Sequence, residues 1–134
     1  MRFLFIAVVL ASGMASAADA KRFGGTWTAS FKGTVICTLE IEDAGDGKVT
    51  GVTKGCNVSV DQNGDLIEAP AHEGPDNPQP FLNTKVDGDL LRFEEEDGSD
   101  VLKFELRLTG KGTADLRILD APITIKPIHF ERGK

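Results

Sequence analysis

From Phe23 onward, apolar and polar residues alternate in short runs, and nearly every run stops at a turn dipeptide or a proline. A period of two puts successive side chains on opposite faces of a strand. No apolar period of 3.6 residues persists for three turns, so no helix is expected after the N-terminal leader. The turn signals are Asp46-Gly47, Asn63-Gly64, Asp87-Gly88, Asp97-Gly98 and the triplet Gly110-Lys111-Gly112. Such pairs adopt positive φ at low cost and mark hairpins. The pattern therefore predicts an antiparallel meander.

The second half of the chain tests this reading against itself. Closing a hairpin at Asp97–Asp100 sets Phe93 opposite Phe104 and Leu91 opposite Leu106, with Arg92 facing Glu105 and Glu94 facing Lys103. Closing the next at Gly110–Gly112 sets Leu106 opposite Leu116 and Phe104 opposite Ile118, with Arg107 facing Asp115 and Glu105 facing Arg117. Both turns give apolar residues inside and opposite charges paired outside. A one-residue slip would invert every face, so the agreement specifies the register.

In the first half, Val35, Cys37, Leu39 and Ile41 share one face. Closure through Asp43–Gly47 sets Ile41 against Val49, Leu39 against Gly51 and Cys37 against Thr53. Residues Glu68 to Asn83 break the rhythm with Pro70, Pro75, Pro78 and Pro80, and read as a long Pro-rich loop, a lid or an excursion. In the last strand the apolar phase switches at Pro127, from Ile123 and Ile125 to Ile128 and Phe130. About eight to ten short strands with edges to hide favour closure into a β-barrel, with an open sandwich as the rival. The inward set is Trp27, Ala29, Phe31, Leu39, Ile41, Val49, Leu91, Phe93, Phe104, Leu106, Leu116, Ile118, Ile128 and Phe130.

The leader changes the setting. Arg2, the apolar run Phe3–Ala11 and the small-x-small sites Ala15-Ser16-Ala17 and Ala18-Asp19-Ala20 read as a cleaved signal peptide over residues 1–20, with cleavage after Ala17 or Ala20. The run is too short to span a bilayer stably. A single domain, 21–134, of roughly 115 residues remains, expected in the periplasm or outside the cell. In that setting the two cysteines, Cys37 and Cys56, suggest one disulfide, with free buried thiols as the alternative. In the predicted register Cys56 reaches Cys37 only if the ladder breaks at Lys54-Gly55. A net charge of −6 argues against nucleic acid as a partner.

Candidate chemistry is sparse. There are two histidines, His72 and His129, and no tyrosine. Ser30, Ser59 and Ser99 lack a nucleophile-elbow context. Asp61, Asn63 and Asp65 place their glycine wrongly for a calcium loop and read as a hairpin turn. His72, Glu73 and Asp76 read as a solvated loop, so no metal or cofactor is assigned. The expectation is a non-catalytic protein whose interior either is filled or holds one small apolar molecule. The interior ligand candidates are Phe31, Leu39, Ile41, Leu91, Phe93, Phe104, Leu106, Leu116 and Ile118.

Gly25-Thr26-Trp27 on the first strand, with Arg132 on the last, resembles the lipocalin and wider calycin barrels. That resemblance implies a lipocalin-like barrel with Trp27 plugging one end and Arg132 packed across it. The chain is shorter than a typical lipocalin and lacks the Thr-Asp-Tyr motif and a C-terminal helix. It looks more like the abbreviated lipocalin-like domains of exported bacterial proteins. The spacing of Trp27, Cys37 and Cys56 also resembles small periplasmic inhibitors of bacterial metalloproteases. There the inhibitory element is an N-terminal trunk, corresponding here to Ala18–Gly24 with Lys21, Arg22 and Phe23, and the partner would be a secreted protease. The leading expectation is an exported binding module for a small apolar ligand or a protein partner. A trunk-type inhibitor and a structural envelope protein are the alternatives.

Overall fold

The computed structural model describes residues 17–56, 59–67, 78–120 and 124–133. Nearly all of it is β. Nine strands follow a five-residue helix, α1 (Ala17–Lys21): β1 (Gly25–Phe31), β2 (Thr34–Gly45), β3 (Lys48–Lys54), β4 (Gln79–Pro80), β5 (Leu82–Asp87), β6 (Leu90–Asp97), β7 (Asp100–Gly110), β8 (Thr113–Leu119) and β9 (Ile128–Arg132). All pairs are antiparallel, in the order β4-β3-β2-β1-β9-β8-β7-β6-β5. The first strand lies beside the last. The two ends of the order, β4 and β5, are separated in sequence by Phe81 alone, so the meander curls into a nearly closed barrel.

Two hydrogen bonds stitch the remaining seam. The Phe81 amide donates to the Gly51 carbonyl at 2.8 Å, and the Thr84 hydroxyl donates to the Val49 carbonyl at 2.9 Å. Gly51 is needed for the first, because a Cβ there would lie 2.5 Å from the Phe81 ring. That ring begins a stack across the barrel, with Phe81–Phe93 centroids 3.8 Å apart and Phe93–Phe104 centroids 5.1 Å apart.

The register of β6, β7 and β8 is the one the alternation predicts, at every pair named above. The β2–β3 hairpin differs by two residues: Ile41 faces Gly51, Leu39 faces Thr53, and Asp43 faces Val49. The chain turns on Asp46-Gly47 alone, with φ of 56° and 77°, and a bulge between Asp43 and Gly45 absorbs the extra residue. A second bulge lies opposite Ala29/Ser30, where β2 carries one residue more than β1. It reverses the expected phase, so that Val35 is 54% exposed and Ile36 only 1%.

Three further expectations change. Residues 124–127 are not strand, and β9 begins only after Pro127, which has no amide to donate. The Lys126 amide bonds the Gly64 carbonyl instead, at 3.1 Å. Strand structure begins inside the Pro-rich segment, earlier than predicted, since Gln79–Pro80 pairs with β3 and Leu82 opens β5. The rest of that loop through residue 77, with His72, Glu73 and Asp76, lies outside the described residues, as does the leader through residue 16. Finally, residues 17–21 are helical, and Ala20 is fully buried in the core.

The barrel thus has two unlike ends. At one, α1 and the tight turns at 46–47, 88–89 and 111–112 close over Ala20, Phe23, Trp27, Leu91, Leu106 and Phe130, all buried. At the other end, β3 leaves toward β4 through residues 55–78 and β8 leaves toward β9 through residues 120–127.

Candidate functional site: a chamber at the open end

The packed end is built around the single Trp. Its indole Nε1 donates to the Phe23 carbonyl at 2.8 Å, which satisfies a donor that burial would otherwise leave without water. Arg132 sits opposite Trp27 on β9, its guanidinium 5.1 Å from the ring centre. Its Nη1 also donates to the Arg22 and Gly24 carbonyls, at 2.9 Å and 3.2 Å. Trp27 and Arg132 are therefore joined to each other and to the segment that precedes β1. Phe23 belongs to the same core, so residues 20–24 are packed into the base of the barrel.

Beyond the phenylalanine stack the interior is not filled. A cavity of about 180 Å³ lies among Cys37 and Leu39 of β2, Thr53 of β3, Cys56, Glu95 of β6, Phe104 of β7, Leu116 and Ile118 of β8, and Ile128 of β9. Phe104, the last ring of the stack, links it to the packed half. Of the interior candidates read from sequence, Leu39, Phe104, Leu116 and Ile118 come together here. Ile41, Leu91, Phe93 and Leu106 are buried in the core, away from the lining, and Phe31 is half-buried against it.

The Cys37–Cys56 disulfide forms part of the wall. With Leu39 opposite Thr53, the ladder runs out at Lys54, and Gly55, at a φ of 52°, turns the chain so that Cys56 meets Cys37. The two-residue shift in register and the glycine together supply the approach that the predicted register lacked.

Among the described residues the wall has one ionisable group that can titrate. Glu95 is 7% exposed, and its Oε2 accepts a hydrogen bond of 2.8 Å from the Thr53 hydroxyl. Burial pushes its carboxyl above the ordinary range, and the Thr53 bond offsets part of that rise. Both residues were missed in the sequence reading. Within Glu94-Glu95-Glu96 the charge run looks solvated, yet the alternation through Leu91 and Phe93 places Glu95 inward. Extending the predicted face by one step would have found it.

Residues 59–67, beside the open end, form a turn of their own. Val60 and Leu66 form a bridge, and Asp61 Oδ1 accepts from the Asn63 and Asp65 amides at 2.8 Å and 3.1 Å. This is the hairpin turn expected of that segment, with its carboxylate turned onto its own backbone. Gly64, at φ 83°, abuts the β8–β9 connection so closely that a Cβ would lie 2.1 Å from the Thr124 carbonyl oxygen. Lys126 Nζ reaches Asp65 at 2.6 Å. The two connections at the open end are thereby docked on each other.

His129 is on the outer face of β9, exposed, with Nδ1 at 3.1 Å from Asp115. A larger depression, about 510 Å³, lies on the outside between β8 and residues 124–127. It is open to solvent. Among the described residues no group of three or more His, Cys, Asp or Glu is placed to hold a metal ion. No helix among them is long and apolar enough to cross a membrane. The chain matches no protein-family model, no curated protein and no solved structure.

Proposed function

We propose that this protein is an exported, non-catalytic barrel that binds one small, largely apolar molecule in the chamber at its open end. The observation that carries the reading is the contrast between the two halves of one core. In the Trp27 half Phe23, Trp27, Leu91, Leu106 and Phe130 are fully buried, while the described lining of the other half keeps an apolar space with one polar pair, Thr53 and Glu95. Ligand sites have this make-up, apolar walls with a few placed polar groups. At about 180 Å³ the chamber resembles in size the roughly 150 Å³ apolar cavities that accept benzene. A single aromatic ring with a short substituent is the scale of ligand that fits. Export is supported by the leader pattern and by the disulfide, a bond that persists in oxidising compartments.

The trunk-inhibitor alternative gains less support. Its inhibitory segment, Ala18–Gly24, would have to be free to enter a protease cleft, whereas Ala20 and Phe23 are buried in this barrel. The structural-envelope alternative requires no cavity.

Toluene titration followed by methyl NMR tests the proposal. Shifts should concentrate on Leu39, Leu116, Ile118 and Ile128 and disappear in Ile118→Phe, which fills the space. Absence of shifts, or shifts confined to the outer surface, would sink it.

A further inference from the structure

We propose that the chamber selects small amines, bound as ammonium ions, with the charge on the Glu95 carboxylate and the hydrocarbon against Phe104, Leu116 and Ile128. This rests on the chamber being a ligand site, and it names the ligand class.

The wall is apolar apart from Thr53 and Glu95. The Thr53 hydroxyl donates to Oε2, which holds the carboxyl in place and leaves Oε1 to a ligand. No lysine or arginine among the described residues forms an ion pair with Glu95. A carboxylate this buried without a cation is costly, and folding has already borne that cost. A ligand's ammonium group therefore meets a desolvated, preoriented acceptor, the setting in which charge-assisted hydrogen bonds are strongest.

The charge along the sequence points the same way. The segment that carries Glu95 reads Glu94-Glu95-Glu96-Asp97-Gly98-Ser99-Asp100, five carboxylates and no base within seven residues. The chain's net charge of −6 adds to a field that attracts cations and repels anions. A carboxylate ligand would set like charges together inside a low-dielectric wall. Of the residues lining the chamber on β2, β3, β6, β7, β8 and β9, Glu95 alone can titrate, since both cysteines are bonded.

Benzylamine, benzyl alcohol and benzoate match the chamber in size and differ in charge, so calorimetric titration of all three at neutral pH decides the matter. Benzylamine should bind more tightly than benzyl alcohol by about tenfold or more, the range of a charge-assisted hydrogen bond, and benzoate more weakly than either. In Glu95→Gln, which keeps an acceptor for Thr53, the amine should lose its advantage over benzyl alcohol. Equal binding of amine and alcohol in the wild-type protein overturns the proposal. So does an amine preference that survives Glu95→Gln, because surface charge would then carry it. Should Glu95→Gln fail to fold, the carboxyl carbon shift of Glu95 in the wild-type protein takes its place. A shift of that carbon on adding benzylamine that benzyl alcohol does not produce supports the contact, and no shift refutes it. Binding of toluene and benzyl alcohol without amine preference defeats this inference alone, whereas no binding by any probe defeats the chamber reading as well.

Discussion

Replacing Cys37 and Cys56 together by alanine should cost this barrel about 3–4 kcal/mol. The bond closes a loop with a sequence separation of 19 residues. For a loop of about that length the chain-entropy relation gives roughly 3 kcal/mol at room temperature. Cys37 is 1% exposed, so trimming its sulphur from the chamber wall adds about 1 kcal/mol of lost contact. Domains of this size are stable by about 5–15 kcal/mol, so the loss is a large share of the total. The assay is urea unfolding followed by Trp27 fluorescence, with circular dichroism of the sheet as second probe. Trp27 reports the packed base and circular dichroism the whole sheet, so coincident transitions would show the barrel unfolding as one unit. At a slope of about 1–2 kcal/mol per molar urea, the midpoint should fall by roughly 1.5–4 M. A loss below about 1 kcal/mol with an unchanged slope would refute the assignment of a loop-closing structural role.

Glu95→Gln should raise stability at neutral pH. The wild-type carboxyl has a raised pKa when folded, so folding takes up a proton between the ordinary carboxylate range and that raised value. Wild-type stability therefore falls as pH rises through this window, and the variant should be flat across it, with the two converging near about pH 4 in denaturation curves. A variant less stable than wild type at neutral pH would contradict the burial cost. Trp27→Ala should cost about 3–5 kcal/mol in thermal or urea unfolding, because it empties the packed base and leaves the Phe23 carbonyl without its indole donor; near-wild-type stability would undo the closure role. On the proposed export, intact mass of the mature protein should place its N-terminus at Ala18. Cleavage after Ala20 would delete that fully buried residue and the turn in which the Phe23 amide donates to its carbonyl, so a chain starting at Lys21 with unchanged stability would refute the argument.

Much of the barrel was legible because strand alternation is a local rule with a two-residue period. Phe93, Phe104, Leu106, Leu116 and Ile118 could be placed from two turns and the pairing of opposite charges, without any knowledge of the third dimension. The same rule failed where one extra residue entered a strand. The bulges at Asp43/Gly45 and opposite Ala29/Ser30 moved the β2–β3 register by two and turned Val35 out and Ile36 in. A bulge costs little locally and depends on neighbouring strands, so alternation alone gives no notice of it.

The site was less legible than the fold. Glu95 sits on the predicted inner face, but a run of three glutamates reads as solvated until the sheet closes around it. Its partner Thr53 comes from a strand 42 residues away, and the two meet only because closure between β4 and β5 brings β3 and β6 to the two sides of one seam. That the interior is solid at Trp27 and hollow at Glu95 depends on how side-chain volumes from all the strands sum at each level.

By itself the amino-acid order determined the all-β meander, the pairing of β6, β7 and β8 and the inward side of Trp27, since each follows from near-neighbour spacing and turn chemistry. Only the tertiary structure decided the closure of the barrel between β4 and β5, the meeting of Cys37 with Cys56 and the chamber with its one carboxyl. Those features arise where distant segments approach, and periodicity along the chain carries no distance between them.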